Sequence, residues 1–136
     1  MKRDGRWTLV SVLWHPPLPS PAPPANIIPA IEQAARDYAS GDAQRVVAAL
    51  SPVAAIRSLM SAPSGARILS DQNVDTMAAR LASGQMPKPP AAPSVTVLGT
   101  DGDVASVKVG EGPATTYLHL GLLGGKWAVV NALTAG

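Results

Sequence analysis

The sequence predicts an α+β domain in which helices cover one side of a curved antiparallel sheet. Three observations carry that prediction. Apolar residues recur at helical spacing between residues 26 and 83, whereas from residue 94 they alternate, with Gly-containing turns between the runs. The third is an internal repeat. Asp4-Gly5-Arg6-Trp7-Thr8-Leu9-Val10-Ser11-Val12-Leu13 lines up without a gap on Gly124-Gly125-Lys126-Trp127-Ala128-Val129-Val130-Asn131-Ala132-Leu133, 120 positions later. That offset is about the length of one modest domain, so residues 1–15 read as the orphan terminal strand of a preceding repeat. Residues 16–25 then form a Pro-rich linker and residues 26–136 one domain.

At 136 residues the chain is long enough to bury a core, and 46% of it is apolar. It has no Phe, so Ala, Val, Leu, Ile and Met must build that core around three Trp and two Tyr. Cysteine is absent, which excludes disulfides and thiolate metal sites and fits a reducing, cytoplasmic setting. The formal charge of +2 comes from Lys2, Arg3 and Arg6 against Asp4; from Pro16 onward eight basic residues face eight acidic ones. With no basic stripe and no interleaved aromatics, nucleic acid is not an expected partner. Lys2, Arg3 and Arg6 followed by the apolar run 7–14 have the outline of a signal peptide. Asp4 within the charged part, two Trp in a short run, and prolines where cleavage should fall argue against it. The run also falls far short of the ~20 residues of a membrane span, so no membrane is expected.

The elements follow in order. Residues 7–14 alternate Trp7, Leu9, Ser11 and Leu13 with Thr8, Val10, Val12 and Trp14, mostly apolar on both faces, as in an interior strand. Residues 16–24 are stiff and extended, spanning roughly 28 Å at about 3.1 Å each. Asn26 caps a first helix with Pro29 in its opening turn. Ile27, Ile31, Ala34, Ala35 and Tyr38 share a face of it, and Ser40-Gly41 ends it. A second helix starts at Asp42, buries Val46, Val47 and Leu50, and stops at Ser51-Pro52. Residues 54–60 read as a strand and residues 61–65 as a turn. A third helix runs from Gln72 to Ser83, capped by Asp71 or Ser70, with Val74, Met77, Ala78 and Leu81 as its apolar stripe and Gly84 as terminator. After a proline-rich loop, residues 94–98 and 104–109 make a hairpin around Asp101-Gly102. Keeping Val95 and Val97 on the face of Ala105, Val107 and Val109 favours an odd-length connection. Residues 114–122 and 126–133 make the last hairpin around Gly124-Gly125. A two-residue turn there sets Leu122 against Trp127, Leu120 against Val129 and Leu118 against Asn131.

That order resembles the nuclear transport factor 2-like superfamily, and within it the lumazine-binding branch. The matching pieces are Tyr38-x-Ser-Gly-Asp42 at the end of the first helix, "VVAALSPVAAI" at 46–56, the strand pair "VTVLGTDGDVASVKV", and "YLHLGLLGGKWAVVNAL" at 117–133. The resemblance covers residues 26–135. It implies a cystatin-like cone, a bent sheet wrapped around a long N-terminal helix, with a pocket at the wide end and dimers formed through the sheet. Members of that superfamily include isomerases, polyketide cyclases, dehydratases, small-ligand binders and associating domains, and the fold does not choose among them.

The expected site is an apolar cavity lined by Tyr38, Met77, Leu81, Leu118, Leu120, Trp127 and Asn131, holding a small apolar or aromatic molecule without transforming it. Tyr38 is either a pocket residue or a core tyrosine with its hydroxyl at the rim. Asn131, the one polar residue on the apolar face of the last hairpin, needs a buried partner, which is a ligand or a helix end. Trp127 reads as core. His119 shares a face with Tyr117, away from the helices, at the sheet surface or a dimer interface. His15 and His119 lie far apart and no Cys accompanies them, so neither a metal nor another cofactor is expected. Arg57, Asp71 and Asp75 reach the pocket mouth or are solvated charges. The alternative is an isomerase, cyclase or dehydratase in which Tyr38 donates to a developing oxyanion and Asp71 or Asp75 is the base. No Asp or Glu falls on the apolar strand face, which favours the non-catalytic, homodimeric binding module. A third reading comes from the repeat: the tandem exists to associate, because a free apolar strand adds to a sheet edge.

Overall fold

A computed structural model describes residues 2–3, 6–7, 12, 27–84, 93–110 and 115–135. The elements are β1 (Lys2–Arg3), β2 (Arg6–Trp7), α1 (Ile27–Tyr38), α2 (Ala43–Ala49), β3 (Leu50–Ser61), β4 (Arg67–Gln72), α3 (Val74–Ala82), β5 (Val95–Asp101), β6 (Val104–Val109), β7 (Thr115–Leu123) and β8 (Lys126–Ala135). Helices α1 to α3 pack on one side of a six-stranded sheet of order β4-β3-β8-β7-β6-β5. Every neighbouring pair is antiparallel except β3 and β8, which run parallel. This is the α+β layout expected, with the four-strand meander extended by β3 and β4.

Helix α1 tolerates Pro29 because the first turn needs no internal N–H donor there. Its spacing buries Ile31, Ala34 and Ala35, with Ile27 and Tyr38 packed beside them. Gly41 takes a φ of 72°, ending the helix where only glycine relaxes without strain. Asp42 then caps α2, its carboxylate accepting from the Arg45 N–H at 3.0 Å. The Arg45 guanidinium donates to Asp37 at 2.7 Å, tying the end of α1 to α2.

Two boundaries differ from the sequence expectation. Helix α2 stops at Ala49, and Leu50 already opens β3, so Ser51-Pro52 lies within a strand. The ladder to β8 jumps there, from Leu50 opposite Val129 to Ala55 opposite Asn131, so Pro52 has no β8 partner whose ladder bond it would break. Val46 is buried as expected, whereas Val47 is 40% exposed. Residues 67–72, of which the sequence assigns only 70–72, to the cap and start of the third helix, form β4 against β3, from Ser61 opposite Arg67 to Ile56 opposite Gln72. Asn73 therefore caps α3, accepting from the Thr76 N–H at 2.8 Å, and the expected caps Ser70 and Asp71 are strand residues. Asn, Ser and Asp cap equally well; where β4 ends decides among them.

Each hairpin carries one extra residue. Between β5 and β6 the turn has two residues, with Asp101 opposite Val104 and Gly102 at φ 62°. The register shifts at Leu98, so Val95 and Val97 still face Val109 and Val107. A bulge, not an odd-length connection, reconciles the parity. Between β7 and β8, Leu122 opposes Trp127 and Leu120 opposes Val129 as expected. Val130 is then the extra residue, and beyond it His119 opposes Asn131 while Leu118 opposes Ala132. The expected pairing of Leu118 with Asn131 is thereby corrected.

At the head of the chain, β1 and β2 form a separate two-stranded ladder. The six-stranded sheet draws on residues 50–135. Of the strand expected over 7–14, only Trp7 and Val12 are described. The linker at 16–25, the Asn26 cap, His15 and the proline-rich loop at 85–92 lie outside the described residues.

Candidate functional site: the inner face of the sheet

Directly opposed residues share a face of a sheet, so the register resolves the helix-covered side into rows. One runs Val97, Val107, Leu118, Ala132 and Ile56; its neighbour runs Thr100, Ala105, Leu120, Val129 and Leu50. Val107, Leu118, Leu120 and Val129 are at most 1% exposed. Met77 from α3 and Ile31 from α1 close over them, and Trp127 joins the same cluster from the start of β8. Tyr38, Leu81, Val74, Val95 and Val97 are partly buried at the margin of that cluster.

Six of the seven expected pocket residues are therefore brought together. Met77, Leu118, Leu120 and Trp127 lie inside the cluster, and Tyr38 and Leu81 pack against it. Asn131 is not among them. The bulge at Val130 moves it to the outer face opposite His119, and puts Ala132 beside Leu118 in its place. Burial pushes the Tyr38 phenol up to about 12, so the hydroxyl stays neutral and both donates and accepts.

The pairing also exposes a feature that the strand patterns alone did not. The third inner row runs Val95, Val109, Thr116, Thr134, Ser58 and Ser70. Its four hydroxyls are half-buried, and those of Thr116 and Thr134 lie 2.8 Å apart in a hydrogen bond. Three of them stand two residues along their strands from an apolar inner-face neighbour: Ser58 from Ile56, Thr116 from Leu118, Thr134 from Ala132. That spacing was the available signal, but it becomes a row only once β3 is known to lie beside β8.

The carboxylates considered for catalysis point elsewhere. Asp71 sits on the outer face opposite Arg57, 3.8 Å from its guanidinium, and Asp75 is exposed in the first turn of α3. Neither is brought to Tyr38, and among the described residues no Asp or Glu occupies an inner row. No group of three or more His, Cys, Asp or Glu is placed to hold a metal among the described residues. Nor is any described helix long and apolar enough to cross a membrane.

The outer face is mixed. Thr96, Lys108, Tyr117, Leu133, Arg57 and Asp71 form one row, and Gly99, Ser106, His119, Asn131 and Ala55 the next. Tyr117 is 47% exposed. An open groove of about 320 Å³ runs beside His119, Ser106 and Gly99. The Nδ1 of His119 is buried with no hydrogen-bond partner among the described residues, and burial lowers its pKa from the ordinary 6.5.

No family model matches the chain, and no curated protein matches it in sequence. Solved structures do match in fold. A nuclear transport factor 2-like protein of unknown function from Shewanella baltica superposes with a TM-score of 0.58 at 16% identity, over 79% of this chain and 91% of that one. One from Methylobacillus flagellatus gives 0.57 at 19%, over 85% and 95%. A ketosteroid isomerase-like protein from Erwinia carotovora atroseptica gives 0.56 at 19%, over 81% and 95%. At these identities the comparison shows the fold alone: the chain has the cone fold of these structures.

Proposed function

Taking that cone as the premise, we propose that the protein is a non-catalytic binding module, holding a small molecule with an apolar or aromatic body and one hydrogen-bonding end. A single juxtaposition supports the reading. The hydroxyl row of Thr116, Thr134, Ser58 and Ser70 borders the apolar rows of the same inner face. An apolar ring against Leu118, Met77 and Leu81 would gain about 25 cal/mol per Å² removed from water. Its polar edge would meet hydroxyls able to donate or accept. Tyr38, neutral up to about pH 12, adds a further hydroxyl at the margin. The catalytic alternative needs Asp71 or Asp75 as a base within reach of the substrate beside Tyr38, and Asp71 lies on the outer face while Asp75 is exposed.

Thermal shift against flavin-, pterin- and polyketide-like compounds tests this. A ligand at a hundredfold excess over its Kd stabilises by about 2.7 kcal/mol, a rise of several degrees in Tm. Thr134→Val should weaken such a ligand five- to tenfold, the loss of roughly one hydrogen bond. The reading fails if no compound raises Tm, or if Thr134→Val leaves affinity unchanged.

We further propose that two copies pair through the outer face, where Tyr117 stands exposed beside the half-buried Leu133. Sedimentation of the wild type should give a dimer and of Tyr117→Asp a monomer; a monomeric wild type at 100 μM or so would end this part of the proposal.

A further inference from the structure

We propose that residues 2–14 are the closing hairpin of a second cone lying N-terminal to the described one on the same polypeptide. The partner this segment fits is thus a sister copy of the fold, between the strands equivalent to β3 and β7. The repeat in sequence suggests it, and the ladder supplies independent support. In β1 and β2, Lys2 opposes Trp7 and Arg3 opposes Arg6. In β7 and β8, Leu122 opposes Trp127 and Leu123 opposes Lys126. These are the same pairs 120 positions apart, with Asp4-Gly5 between the first two in sequence and the Gly124-Gly125 turn between the second two. Shared sequence does not force the match, because Lys2-Arg3 has nothing in common with Leu122-Leu123.

The bulge in β8 strengthens the equivalence. Written as a regular strand, residues 7–13 leave a polar residue on each face: Ser11 with Trp7 and Leu9, Thr8 with Val10 and Val12. Carrying the extra residue from Val130 back to Val10 changes this. Trp7, Leu9 and Val12 then fall where Trp127, Val129 and Ala132 face the interior, and Thr8 and Ser11 fall together where Ala128 and Asn131 face outward. One irregularity, read from the C-terminal strand, sorts the N-terminal one into an apolar and a polar side. Ala132 is 2% exposed, whereas its counterpart Val12 is 67% exposed. An apolar side chain so uncovered at a position that is interior in β8 calls for the rest of a sheet. Residues 16–25 would then tether the two cones at a reach of about 31 Å.

A chimera tests the assignment. Residues 26–121 are placed directly ahead of residue 2 of the full chain, so that residues 2–14 serve as the last hairpin of the front cone. A reference chimera carries residues 122–134 in their place. Both should show two folded units per chain, with nearly twice the far-UV signal and two protease-resistant fragments. Leu9→Asp, at the position of Val129, should unfold the front unit alone; Ser11→Asp, at the position of Asn131, should leave it folded. Two folded units in the reference but one with residues 2–14 would overturn the proposal, as would equal damage from Leu9→Asp and Ser11→Asp. Removing residues 1–15 from the chain itself gives a second readout that does not depend on the chimera folding. Tm should move by less than about 2 °C; a fall beyond about 5 °C would assign the segment to the described cone and overturn the proposal.

Discussion

Tyr38 packs from α1 against the inner side of the sheet and His119 lies on its outer face, and burial acts on them with opposite consequences for pH. The Tyr38 phenol rises from 10.0 to about 12 in the folded protein. Its contribution is complete below pH 10 and lost as pH climbs through 12, because the unfolded chain gives up that proton first. The loss amounts to roughly 2–3 kcal/mol. The His119 imidazole is lowered, so its contribution is complete above the ordinary 6.5 and shrinks as pH falls below it. Urea titrations across pH should therefore show decline at both ends. Tyr38→Phe should flatten the alkaline limb and His119→Leu the acid limb, each leaving the other in place. Limbs unchanged in the variants would mean that other groups govern them. Tyr38 was legible in the sequence because its position on the apolar stripe of α1 followed from spacing alone. The placement of Asn131 was not, because a single unpaired residue at Val130 reverses every face assignment after it, and valine beside valine leaves no mark of a bulge.

Among the elements, the hairpins were readable wherever a glycine had to take a positive φ, at Gly102 and at the Gly124-Gly125 turn. Strand β4 was hidden. Arg67-Ile68-Leu69-Ser70 alternates too briefly to stand apart from a loop, and its pairing with β3 defines it. The same non-locality concealed the parallel pairing of β3 with β8, which joins residues 50–59 to residues 129–135 and depends on no local pattern. The bulge in β8 makes a prediction at this scale. Because of it Ala132, not Asn131, stands against Leu118, and Ala132→Asn would put an amide in that place. An amide left there without a partner, in a space fitted to a methyl group, should cost about 3 kcal/mol or more by urea denaturation. Asn131→Val, on the outer face, should stay within about 1 kcal/mol of wild type. The reverse ranking would place Asn131 inside.

For the whole molecule, the cone gathers onto one concave surface what the chain scatters. Ile31 and Tyr38 come from α1, Met77 and Leu81 from α3, Leu118 and Leu120 from β7, and the hydroxyls from β3, β4, β7 and β8. Two of the described methionines belong to that surface, Met77 at 5% exposure inside the cluster and Met60 at 48% at the rim, two residues beyond Ser58 on the same face of β3. The most direct test is a methyl-labelled methionine NMR titration with a compound found by thermal shift. A ligand in the interior should move the Met77 methyl resonance in proportion to occupancy. Saturation with the Met77 resonance unmoved would contradict binding inside the cone.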